Sequence, residues 1–115
     1  MIRGNRTVAH HAINATAASN IIDCNDYPDF LVSVELGTTG IPNWTITFLG
    51  AIIKSDAFTL INKFKDDGTL VQVSSGALTV NKCFIVKDVP RHVKVIATKN
   101  SGTGTCTVKV QPFKA

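Results

Sequence analysis

Thirty-six of the 115 residues are threonine, valine or isoleucine, and this excess of β-branched side chains constrains the fold more than any motif does. Branching at Cβ stiffens χ1 and suits a pleated sheet better than the crowded surface of a helix. The residues that helical proteins favour are scarce: glutamate occurs once, at Glu35, and methionine once, at Met1. The composition is that of an all-β chain. It contains 44% hydrophobic and 17% charged residues, which excludes a disordered segment. At 115 residues there is room for one domain with a core of its own. No apolar run is long enough to span a membrane as a helix, and no membrane partner is expected.

Alternation of period two marks the strands. Ile21–Cys24 reads as a short strand closed by the turn signal Asn25-Asp26-Tyr27-Pro28-Asp29. Phe30, Val32, Val34 and Leu36 alternate with Leu31, Ser33 and Glu35, and after a loop over 37–43, Trp44, Ile46 and Phe48 alternate with Thr45, Thr47 and Leu49. Ser55–Phe64 fits a short helix capped by Ser55 or a strand. The adjoining Asp66-Asp67-Gly68-Thr69 turn favours the strand, with Leu70–Val73 as its partner. Ala77–Val86 supplies one strand or two. Val93, Val95 and Ala97, then Cys106, Val108 and Val110, flank a Gly102-Thr103-Gly104 turn and predict a closing β-hairpin. The expected architecture is a two-sheet antiparallel β-sandwich over residues 21–115, jelly-roll or immunoglobulin-like, preceded by an extended arm over residues 1–20 with one edge strand near Thr7–Ile13.

The net charge is +4. The lysines are scattered along the chain and only Arg3 and Arg6 lie close together, so the charge reads as solvated faces and no nucleic-acid partner is expected. Cys24, Cys83 and Cys106 are widely spaced without a C-x-x-C pair. They read as buried free thiols acting as small hydrophobes in a chain kept in a reducing compartment, with no signal peptide at the N-terminus. His10 and His11 point to opposite faces if they lie in a strand, so they cannot chelate one metal together. His92 reads as a half-exposed strand residue. Asp23, Asp26 and Asp29, and the pair Asp66 and Asp67, sit in turns, where aspartates bond their own backbone. Trp44 is in phase with Ile46 and Phe48 and is assigned to the core. No catalytic residues, metal site or cofactor are expected, and the chain reads as a non-enzyme.

The order of elements resembles a known class. Ile22-Asp23-Cys24-Asn25-Asp26-Tyr27 is followed by Val32-Ser33-Val34, an aromatic-rich strand ending in Gly50, then Phe58-Thr59 and Asp67-Gly68-Thr69. The chain closes with Asp88-Val89-Pro90-Arg91-His92-Val93-Lys94-Val95 and Ser101-Gly102-Thr103. This is similar to small β-sandwich virion structural proteins of tailed bacteriophages, including capsid decoration (cement) proteins. The resemblance implies a protein made in the bacterial host cytoplasm that binds the outside of a phage head and clamps neighbouring major capsid subunits, as a homotrimer or other homo-oligomer. Arg3, Arg6, His10, His11 and Ile13 in the arm are then the candidates for shell or inter-subunit contacts, since an extended segment can add a strand to a neighbour's edge. Deleting residues 1–20 would leave a folded sandwich unable to bind its shell. The alternatives are a tail or fibre component, or a free carbohydrate-binding sandwich with Trp44 as its platform. A small hydrolase or metal protein ranks last.

Overall fold

The structure, a computed structural model, describes residues 1–37 and 40–115. Thr38 and Thr39 of the expected 37–43 loop lie outside the described residues. Thirteen strand segments follow in order: β1 (Ile2–Arg3), β2 (Thr7–Ile13), β3 (Ala17–Ala18), β4 (Ile22–Asp23), β5 (Asp29–Leu36), β6 (Asn43–Ala51), β7 (Thr59–Leu60), β8 (Asn62–Phe64), β9 (Leu70–Gln72), β10 (Ser74–Leu78), β11 (Lys82–Val86), β12 (His92–Ser101) and β13 (Cys106–Lys114). No helix occurs among the described residues. The all-β composition is expressed as expected, and Ser55–Phe64 contributes strands rather than a helix, with β8 pairing β9 antiparallel.

Two antiparallel sheets form a sandwich. In the first, β1 and β2 both pair the same edge of β13, and the order continues through β5 to β11. In the second, β7 and β10 share one edge of β6, β12 follows, and β3 and β4 share its far edge. The pairing is nested: the N-terminal run β1–β2 lies beside the last strand, β3–β4 beside β12, β5 beside β11 and β6 beside β10. Counted this way the described residues form eight strand positions wound as a jelly roll, the choice between sandwich types that alternation left open.

The expected hairpin is absent. β12 belongs to the second sheet and β13 to the first. Both strands bury one face, with Val93, Val95, Ala97, Cys106, Val108 and Val110 all about fully buried. Those faces meet across the sandwich instead of lying side by side in one sheet. Alternation marks which side of a strand is buried and is blind to whether its sequence neighbour is a lateral partner or an opposing one. The crossing at 102–105 packs against Gly37, Gly40 and Ile41, and Gly37 N donates to Thr105 O at 2.8 Å. Gly102 has φ +80°, and a Cβ there would collide with the carbonyl oxygen of Ile41, so only glycine fits the approach.

The core is filled from both sheets. Phe30, Val32 and Val34 of β5 face Trp44, Ile46 and Phe48 of β6, and none of the six is more than 2% exposed. Phe48 packs tilted on Phe30 and edge-on to Phe84, with ring centroids 6.4 Å apart in each case, the offset arrangements that aromatic quadrupoles favour.

Candidate interaction surface

The N-terminal segment is extended, and both sheets of its own protein use it. β1 and β2 close the first sheet along β13, β3 extends the second along β12, and the chain changes sheets between them. Its candidate residues therefore divide. Arg3, Arg6 and His11 are exposed. His10 is 5% exposed, and its Nε2 donates to Val95 O at 2.8 Å, a bond from the edge of the first sheet to the second. Ile13 is half-buried against the core. Both His10 and Ile13 face inward because a bulge resets the alternation: Ile13 pairs Cys106 and His10 pairs Val108, leaving one extra residue on β2. Ala12, within that bulge, takes φ +47°, and its N donates to Thr107 Oγ1 at 2.9 Å. His10 is consequently committed inside the fold, and Ile13 turns part of its side chain to the core.

Most other chemistry-bearing residues have internal partners, although the buried Trp44 Nε1 and His92 Nδ1 have no hydrogen-bond partner among the described residues. Cys24 and Cys106 are buried free thiols, and burial pushes them up to about 12 and about 11, away from the nucleophilic thiolate. Asp23 Oδ1 accepts from Asn25 N at 2.8 Å and from Arg91 Nε at 3.2 Å. The Asn25 bond first, then Arg91, hold this carboxyl below its usual range. Asp67 Oδ1 accepts from the Thr69 hydroxyl and backbone N, which lower it likewise. Asp29 is buried and accepts from Asp88 N at 3.1 Å. Trp44 is fully buried, so its ring offers no platform to a sugar. His92 is 8% exposed rather than half-exposed, because β4 and β6 flank it in register.

A different surface comes together on the outer face of the first sheet. In register across three strands, Leu31 lies between Ile85 and Gln111, and Ser33 between Cys83 and Lys109. Arg6, at the break between β1 and β2, completes the rim of a shallow depression of about 600 Å³. Ile85 is 50% exposed and Cys83 is exposed. The floor is apolar on the β11 and β5 side and cationic on the β13 side. Lys109 Nζ lies 3.6 Å from Glu35 in a half-exposed pair, too solvated to cancel its charge. Arg6 has no carboxylate within 4 Å among the described residues. The sequence places Leu31 as an apolar residue in the outward phase of β5, but it does not fix the phase of the 77–86 segment, so Cys83, expected to be buried like the other two thiols, is exposed instead, and Ile85 carries no signal of its own.

No family model matches this chain, and no curated protein does. Among solved structures it is similar to the SPBc2 prophage-derived protein YomS. The superposition has a TM-score of 0.66 and covers 97% of this chain and 95% of that one, at 19% sequence identity. At that identity the likeness is one of fold.

Proposed function

We propose that this chain is a structural, non-enzymatic component of a bacteriophage particle, a capsid decoration protein that binds the outside of the head and clamps neighbouring major capsid subunits. The observation that carries the reading is the fold shared with a prophage-derived protein over nearly the whole of both chains. The residues fit such a role: the buried thiols are held protonated and His10 is committed to Val95 O. Because β1–β3 are paired within the protein, contact with a shell runs through its faces and through the exposed Arg3, Arg6 and His11. Self-association into a homotrimer or other homo-oligomer on the shell would multiply weak individual contacts.

The test is co-sedimentation with particles from the source phage, with copy number measured against the major capsid protein. A simple stoichiometric ratio to that protein is the expected result. A few copies per particle would move the assignment to the neck, tail or fibre. No association would remove the virion reading.

A further inference from the structure

We propose that the outer face of the first sheet is the docking surface, and that its occupant is an acidic patch of the shell protein presenting an apolar side chain beside a carboxylate. The inference rests on the capsid-decoration reading and adds to it the surface and the partner's chemistry.

Outward positions of an antiparallel sheet that faces water are ordinarily polar. Here Leu31 and Ile85 are direct cross-strand partners on the outward side, with Cys83 in the adjoining row. Leu31 breaks the polar outward pattern that Ser33 and Glu35 keep on β5, Ile85 and Cys83 extend the break onto β11, and such local breaks mark binding surfaces. The depression they floor, about 600 Å³, accommodates one or two large apolar side chains. Its other side carries Arg6 and Lys109. Strands lie about 4.8 Å apart, which puts β13 about 10 Å from β11, within one side-chain reach. A partner residue seated over Leu31 and Ile85 thus has a guanidinium and an ammonium beside it. Arg6 can take a carboxylate in a two-pronged bond. A polyphosphate would use the cations and leave the apolar floor uncovered, whereas an acidic protein patch satisfies both halves.

Cys83 provides the readout. It is the exposed thiol at the depression, while Cys24 and Cys106 are buried, so iodoacetamide reports on this face alone. The full chain is added to phage particles lacking it, and binding and Cys83 alkylation are both followed. Bound protein is expected to alkylate at least about tenfold more slowly at Cys83. Ile85→Lys and Arg6→Glu should each weaken binding at least about tenfold, and Thr45→Lys on the opposite sheet should leave it unchanged. If Ile85→Lys fails to fold, the wild-type alkylation rates still decide. Binding with Cys83 labelled at the free rate would overturn this inference and leave the decoration reading intact. If the wild-type chain does not bind particles at all, the decoration reading fails and this inference falls with it.

Discussion

His10 joins the two sheets where the N-terminal segment passes from one to the other, and its replacement tests whether that segment is structural. Its Nε2 donates to Val95 O at 2.8 Å in a site only 5% exposed. In His10→Ala the acceptor is not stranded, because Ser19 N also donates to Val95 O at 2.8 Å. The loss is then a net hydrogen bond, about 1 kcal/mol, and an incompletely collapsed imidazole-sized void, about 2 kcal/mol. The sum of about 3 kcal/mol lowers the melting temperature of a domain this size by about 12 °C. His10→Gln, which keeps an amide donor, should recover about 1 kcal/mol of that. His11→Ala, on the exposed side of the same strand, should stay within about 0.5 kcal/mol. Urea unfolding followed by the emission of the buried Trp44 measures all three. Equal stability of the His10→Ala and His11→Ala proteins would refute the tie between the sheets.

Removing residues 1–20 takes β1, β2 and β3 from both sheets, so the truncated chain should be unfolded or aggregated. A cooperative melt with native Trp44 emission would show that the edge strands are dispensable. Gly102→Ala combines a positive φ with a collision against Ile41 O and should cost at least about 2 kcal/mol by thermal melting. The thiols of Cys24 and Cys106 are raised from 9.0 to about 12 and about 11. A raised folded pKa stabilises fully below the unfolded value, and that contribution is lost as pH climbs from 9 through 11 to 12. By pH ~10.5 each thiol should cost about 2 kcal/mol, and Cys24→Ala should flatten its share of the alkaline fall in urea midpoint. Asp23 is shifted the other way, so its contribution is present above the usual carboxylate range and lost as pH falls through the lowered value. The Arg91 pair is half-exposed, and Asp23→Asn should shift acid unfolding by under about 0.5 kcal/mol.

The strands themselves were legible because each buries one face of a period-two pattern. Phe30 to Leu36 and Trp44 to Leu49 fall within β5 and β6, and the β8–β9 turn followed from Asp66-Asp67-Gly68-Thr69. What alternation could not carry is partnership. In a jelly roll the lateral neighbours are nested, so Ile2 pairs Lys114 and Thr7 pairs Val110, and sequence neighbours such as β12 and β13 face each other across the core. The polar composition of residues 1–20 had a related effect. These residues sit at sheet edges, where one side of the backbone is solvated and small polar side chains suffice, so the segment looked uncommitted while it was holding both sheets. The inward placement of both His10 and Ile13, three residues apart, depends on the bulge at Ala12, which no propensity marks.

The surface was less legible than the core for a physical reason of the same kind. A core residue is recognised by its own strand's alternation, whereas the depression exists only when β11 is laid beside β5 in register. Ile85 then meets Leu31, and Cys83 meets Ser33. Each of these residues alone is an unremarkable exception to a polar outward phase. The cationic side needs a third strand and an interruption in the pairing, since Arg6 lies between β1 and β2, which are separate segments along β13. The same nested winding that commits the N-terminus to the fold thus also places one of its arginines at the edge of the apolar floor. On the docking inference, truncation of the segment should abolish shell binding and Arg6→Glu alone should weaken it at least about tenfold, for different reasons. The first does so by unfolding the chain, and the second leaves its melting temperature unchanged within about 2 °C. An Arg6→Glu protein that binds at full strength with an unchanged melt would separate the fold's use of this segment from any use in recognition.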